Sequence, residues 1–344
     1  MRAYERFLRY VSFDTASDAA NPACPSSARQ LALADALAGE LRGLGLADAR
    51  VDKHGYVYAS LPANREGLPS IGLIAHMDVV SVVPSAGVQP ALIPYNGGDV
   101  TLANADVLSP QRYPGLASRV GKTMIVSGGD TLLGADDKAG IAEIMTAVET
   151  LARDPSIPHG AVKVAFTPDE EIGRGADRFD LAAFGADFAY TIDGDDVGGI
   201  EFENFNAASA VFTVHGVSAH PGSAKGVMRN ANTIACEIAA LFPAEETPER
   251  TEGYEGFYHL CELRGSVETC TMHYILRDHD HAAFEARKRR AMEIAAHVNA
   301  RYGEGTVQLR LTDSYYNMRR VLDKHMHIVR RAQEAWRAVG VEPV

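Results

Sequence analysis

Through the first two hundred residues, short and nearly continuous apolar runs alternate with amphipathic helical stretches, and this alternation restricts the fold more than any other feature. Residues 56–61, 71–75, 162–167 and 188–193 read as strands. Pro25-Ser26-Ser27 opens a helical stretch that carries Leu31, Ala34, Leu37, Leu41 and Leu44 on one face. Asp136 and Asp137 precede a second, with Ile141, Ile144, Val148 and Leu151. Strands that are apolar on both faces need cover on both. The expectation is an α/β domain with helices on both faces of a mostly parallel sheet. The pattern changes near Ala208. Strands at 210–215, 267–276 and 307–312 and helices at 230–242 and 284–302 fit an α+β unit, two helices on one face of a small antiparallel sheet. A last helix is expected over 321–339.

Charge and composition narrow the partners. Among 344 residues, 33 basic and 45 acidic side chains give a net charge of −12, which argues against nucleic acid and anionic membrane surfaces. No apolar run approaches the roughly 18 residues of a membrane span. The first ten residues scatter charge among apolar positions, so neither a signal peptide nor an anchor is expected and the chain is expected in the cytoplasm. Cys24, Cys236, Cys261 and Cys270 form no Cys-x-x-Cys pair, which excludes thiolate zinc knuckles and thioredoxin-type redox chemistry.

Four polar motifs follow predicted strands or open a helix, where open α/β sheets bind ligands. In His76-Met77-Asp78 the two polar side chains point the same way on extended chain, so Asp78 can hold one ring nitrogen while His76 offers the other to a metal. Gly134-Ala-Asp-Asp-Lys places Asp136 and Asp137 at a helix start, one to cap and one to project into a cleft. Thr167-Pro-Asp-Glu-Glu crowds three carboxylates, of which one glutamate can coordinate while the other accepts a proton from water. Asp193 closes the fourth strand, followed by Gly194, Asp195 and Asp196. Acids converging from four segments repel one another unless a multivalent cation lies between them. Histidine and carboxylates without thiolates suit zinc, manganese or cobalt in hydrolysis.

These motifs sit within longer stretches: Leu132-Leu-Gly-Ala-Asp-Asp-Lys-Ala-Gly-Ile-Ala-Glu-Ile-Met, Ala165-Phe-Thr-Pro-Asp-Glu-Glu, Glu201-Phe-Glu-Asn-Phe-Asn-Ala-Ala-Ser, Thr251-Glu-Gly-Tyr-Glu-Gly-Phe-Tyr-His-Leu and Asp313-Ser-Tyr-Tyr-Asn-Met-Arg. With them the chain closely resembles, from about Tyr4 to its last residue, the peptidase T family. These are tripeptide aminopeptidases among the co-catalytic dizinc exopeptidases, which include carboxypeptidase G and aminoacylase. The resemblance implies a metal-dependent aminopeptidase with two Zn2+ per subunit. His76 and Asp193 would hold one metal, Glu171 the other, and Asp136 would bridge them. Glu170 would be the general base and Asp78 the carboxylate behind His76. Residues 1–207 would form the first part of the catalytic domain, 208–317 an inserted lid and dimerisation domain, and 318–344 the return to the catalytic domain. In the lid, His220 would reach the substrate and stabilise the oxyanion, coming in related enzymes from the partner subunit of a homodimer. Arg277 would pair with a peptide carboxylate. The family pattern continues past the position of Val344 with Arg-Gly-Gly-Thr-Asp-Gly and then a histidine ligand. The expectation is therefore a C-terminally truncated chain with an incomplete second metal site, since His325 and His327 stand in the wrong context. Two other readings stay open: a non-catalytic truncated remnant, and a dizinc amidohydrolase acting on dipeptides or acylated amino acids.

Overall fold

A computed structural model describes residues 1–194 and 196–344 and divides the chain into two units, Met1–Asp196 and Val197–Val344. The first unit contains helices α1 (Ala3–Tyr10), α2 (Gln30–Gly43), α3 (Ala135–Arg153) and α4 (Leu181–Phe184). Its strands are β1 (Arg50–Val51), β2 (Val57–Leu61), β3 (Ile71–His76), β4 (Ala91–Pro94), β5 (Val100–Thr101), β6 (Val107–Leu108), β7 (Thr123–Val126), β8 (Val162–Thr167) and β9 (Phe188–Thr191).

Five of these strands form one sheet in the order β1-β2-β8-β3-β9. It is mixed: β8 and β9 run parallel to β3, whereas β1–β2 and β2–β8 are antiparallel. Leu33, Leu37 and Leu41 of α2, Ile141, Met145 and Val148 of α3, and Phe7 and Tyr10 of α1 bury against Val57, Ala59, Val164 and Phe166 on one face. Burying each such side chain contributes roughly 1.5–3 kcal/mol. Tyr56, Tyr58, Ala165 and Phe184 pack on the opposite face, so both faces are covered. Because β3, β8 and β9 are parallel, their carboxyl ends share one edge, with His76 opposite Thr167 and Ile74 opposite Thr191. The acidic motifs begin at that edge.

The second unit is a four-stranded antiparallel sheet carrying two helices. Its strands are β10 (Asn206–His215), β11 (Phe257–Gly265), β12 (Thr269–Asp278) and β13 (Val307–Tyr315), in the order β11-β12-β10-β13. Helices α5 (Ala231–Leu241) and α6 (His281–Tyr302) place Ile234, Ile238, Ile294 and Val298 in one core with Phe212, Met272, Tyr274 and Leu276. The Asn230 and Asp280 side chains cap the two helices by accepting the N–H groups of Asn232 and Ala283.

Three local features differ from the sequence expectation. The helix expected over 321–339 is two pieces, α7 (Arg319–Leu322) and α8 (His327–Ala338), joined by a turn in which the His325 N–H donates to the Leu322 carbonyl at 2.7 Å. Only Val329 of these two helices is buried, so no continuous apolar stripe holds them as one. Helix α1, which no sequence expectation covers, is only eight residues long and buries Arg6 together with Phe7 and Tyr10. Strand β11 is an edge strand with a single buried residue, Tyr258, and gives little alternation to read.

Candidate metal centre

His76 ends β3, and its imidazole is 2% exposed. Its Nδ1 lies 3.0 Å from the Asp78 carbonyl oxygen and 3.5 Å from the Asp78 carboxylate. That leaves Nε2 facing the cluster, 2.8 Å from Asp136 Oδ1, 3.7 Å from Asp193 Oδ2 and 3.8 Å from Glu170 Oε2. The His76 backbone N–H donates to Asp137 Oδ2 at 3.0 Å.

The remaining residues arrive from three other segments. Asp136 and Asp137 begin α3, where neither has helical backbone angles and the regular helix starts only after them. Asp137 is buried and Asp136 exposed, so the pair splits between the interior and the opening of the site. Gly140 is what lets this helix start approach the end of β9. A Cβ there would stand 2.1 Å from the Ile192 carbonyl oxygen and 2.3 Å from Asp137 Oδ1. Glu170 and Glu171 follow β8, and their backbone N–H groups donate to the two carboxylate oxygens of the fully buried Asp78, at 2.8 and 3.2 Å. The Asp78 carboxylate thus fixes the glutamate loop as well as lying beside the His76 ring. Asp193 stands just past β9, and Asp195 of the same motif lies outside the described residues.

Two groups have donor atoms within 4.8 Å of one another, His76–Asp137–Asp193 and His76–Asp136–Glu171. Their electrostatics show acids in want of a cation. Burial raises the carboxyl of Asp137, and the charges of Asp193 and Asp136 add to it, pushing it up to about 8 against the pull of His76. Burial and neighbouring acids likewise raise Glu170 and Glu171. Burial opposes a charged His76, yet hydrogen bonds to Asp136 and Asp78 and the charge of Asp137 outweigh it and lift the imidazole to about 11. The hydrogen bond from His76 in turn lowers Asp136. Two carboxylates about 4 Å apart cost on the order of 4 kcal/mol at an effective dielectric of 20. Lys138 is buried nearby, but its Nζ donates to the Phe13 carbonyl at 2.8 Å, and burial lowers it to about 8. One imidazole and several carboxylates, with no thiolate among them, fit a borderline divalent cation.

All six residues that the sequence placed here, His76, Asp78, Asp136, Glu170, Glu171 and Asp193, come together. The sequence marks Asp137 only as one of two acids at a helix start, one to cap and one to project, and the resemblance gives the metal role to Asp136. His220 and Arg277 belong to the second unit. His220 is exposed, and its Nδ1 accepts the Gly222 N–H at 3.1 Å, leaving Nε2 to carry the proton of the neutral ring. Arg277 lines a cavity of about 450 Å³ with Phe202, Phe205 and His279. Its guanidinium carbon lies 5.9 Å from the Phe205 ring centre, and its buried Nε has no hydrogen-bond partner.

Comparison with known proteins gives concordant results. A family model described as a peptidase dimerisation domain matches residues 202–306. A protein named Peptidase T from Caldanaerobacter subterraneus is 51% identical over 346 residues, covering 99% of this chain and 85% of its own. A solved tripeptidase from Staphylococcus aureus superposes with a TM-score of 0.76 at 22% identity, covering 99% of this chain and 82% of that one. A Bacillus subtilis protein described as a dinuclear metal binding peptidase of the M20 family superposes with a TM-score of 0.59 at 14% identity, over 99% and 81% of the two chains. Among the described residues no helix is long and apolar enough to cross a membrane.

Proposed function

We propose, since the chain belongs to the peptidase T family, that it is a metal-dependent aminopeptidase releasing the N-terminal residue of tripeptides. The observation that carries this reading is the convergence of His76 with four carboxylates, Asp136, Asp137, Glu171 and Asp193, where the carboxyl ends of parallel strands meet the start of α3. His76 with Asp193, and Glu171, would hold two Zn2+, with Asp136 between them. When bound, the ions supply Lewis acidity toward the scissile carbonyl and make water acidic near neutral pH.

The chain's own groups perform the proton transfers. The Glu170 carboxylate takes a proton from the attacking water as its oxygen bonds to the carbonyl carbon. It returns that proton to the amide nitrogen as the C–N bond breaks, which makes the leaving group a neutral amine. Asp78 orients both partners, through the His76 ring and the N–H groups of Glu170 and Glu171. The His220 Nε2 proton suits an oxyanion. The Arg277 guanidinium, with its unpartnered Nε, suits a substrate carboxylate. In the same reading residues 1–207 and 318–344 form the catalytic domain, residues 208–317 act as lid and homodimer contact, and the enzyme works in the cytoplasm.

Hydrolysis of matched di-, tri- and tetrapeptides, read as release of the N-terminal residue alongside elemental analysis, tests the assignment. Tripeptide turnover with bound divalent metal is expected, and turnover of dipeptides or acylated amino acids alone would replace it with an amidohydrolase. Glu170→Gln is expected to lower kcat by about 10²–10⁴-fold while metal content stays unchanged.

A further inference from the structure

We propose that Asp169, clamped by Ser26 and Gln30, is the positioning residue that aims Glu170. The proposal rests on the reading of Glu170 as the proton acceptor. Asp169 immediately precedes Glu170 and is fully buried, yet it carries a carboxylate that reaches none of the metal-centre donors. Its oxygens instead accept the Ser26 N–H at 2.7 Å, the Ser26 hydroxyl at 2.5 Å and the Gln30 side-chain amide at 2.7 Å. The Gln30 Oε1 accepts the Asp169 N–H at 3.3 Å, so one glutamine side chain grips both the backbone and the carboxylate of the same residue. Charge-assisted bonds of this kind are short and strong, and a buried carboxylate satisfied by three donors is held in one place.

The conformation being held is uncommon. Asp169 has φ +61°, in the left-handed region that few residues other than glycine adopt. That turn, just beyond the end of β8, is what lets the next two N–H groups meet Asp78. The loop is fastened further by Arg174, whose N–H donates to the Asp169 carbonyl at 2.9 Å. The Arg174 guanidinium donates to the carbonyls of Asn21, Pro22 and Ala23, each at 2.9 Å. Residues 21–30, which the sequence marks only as the approach to a helix, therefore form the mould against which the glutamate loop is cast.

Glu170 needs such support because its own side chain has little. It is half exposed, and its ion-pair contact is His76 Nε2 at 3.8 Å. Its location is set through the backbone, from Asp78 on one side and from the Asp169 clamp on the other. A misplacement of about 1 Å in a reacting group can cost about 10²-fold in rate.

The test uses the metal-loaded protein with Ser26→Ala and Gln30→Met, which remove donors while nearly keeping volume, because Asp169→Asn risks misfolding. Leu46→Ala, in the core of the same unit and outside the helix that begins with Gln30, serves as a destabilised control. Each clamp variant is expected to lose at least tenfold in kcat on a tripeptide, with KM within twofold and metal per chain unchanged. The control should lose thermal stability with kcat intact. Clamp variants that melt earlier but turn over like the control would overturn the proposal. Loss of metal in step with activity would also overturn it, by assigning the clamp to Glu171. Wild-type protein that binds metal but turns over no tripeptide would remove the aminopeptidase reading and the clamp's role with it, an outcome distinct from active clamp variants.

Discussion

Asp137 is buried, accepts the His76 N–H and is grouped with His76 and Asp193, so two roles compete for one carboxylate. It can supply negative charge to a cation, or it can simply hold the backbone behind the histidine. Asparagine keeps an acceptor for the N–H and loses the charge, whereas alanine loses both. Outer partners of metal ligands are typically worth about 10–100-fold in affinity. Asp137→Ala is therefore expected to weaken metal binding by at least about tenfold in a chelator competition. A matching loss in Asp137→Asn would assign the effect to charge, and wild-type affinity in both would remove Asp137 from the centre. Strand ends and a helix start marked the motifs that contain His76, Asp78, Asp136, Glu170, Glu171 and Asp193, and the family resemblance singled these six out from the neighbouring acids. The local pattern alone could not rank Asp137 against Asp136, because that ranking depends on the non-helical backbone at the start of α3. Nor could it display Ser26 and Gln30, which lie 143 and 139 residues before their partner Asp169. Hydrogen bonds between such distant polar residues leave no periodic trace.

Helices α2, α3, α5 and α6 were legible because their apolar stripes face a core. Helix α1 was not, since it is only eight residues long and, beside the buried Phe7 and Tyr10, brings the charge of Arg6 into its contact with α3 and α2. The Arg6 guanidinium is 2% exposed and donates to Glu149 at 2.6 Å and to Glu40 at 2.8 Å. The hydrogen bond from Arg6 pulls the Glu149 carboxyl, against the opposing effect of burial, from 4.5 down to about 2. The folded value lies below the unfolded one. The contribution is therefore fully present above about pH 4.5 and is lost as pH falls through about 2. Its size is on the order of 2–3 kcal/mol. Glu149→Gln is expected to lower unfolding free energy in urea by roughly 3 kcal/mol at pH 6, because it leaves the Arg6 charge buried with one partner fewer. The gap between wild type and variant should shrink as pH is lowered from about 4.5 toward 2. A gap that stays constant over that range would mean that Arg6 and Glu149 contribute to stability by packing alone.

At the scale of the molecule, the two units have separate hydrophobic cores, one built on the mixed sheet with α1, α2 and α3, the other on the antiparallel sheet with α5 and α6. The change of pattern near Ala208 announced two architectures, because strands covered on both faces read as solid apolar runs and strands covered on one face alternate. The mixed direction of the first sheet was not announced, because burial on both faces looks the same in a parallel and an antiparallel strand. Among the described residues, the donors grouped at the candidate metal centre all belong to the first unit. A cation that binds only the folded centre stabilises by about 2.7 kcal/mol when its concentration is a hundred times its Kd. That free energy is delivered to the unit that owns the ligands. Calorimetry of the chelator-treated protein, repeated after adding Zn2+, is therefore expected to show two unfolding transitions, with the metal raising one by several degrees and leaving the other in place. The transition that moves should be the one that Leu37→Ala lowers, while a core substitution such as Ile238→Ala lowers the other. A single transition that shifts as a whole would mean that the two cores unfold as one cooperative system. Two transitions indifferent to metal would leave the crowded carboxylates at the strand ends without the ion that their arrangement requires.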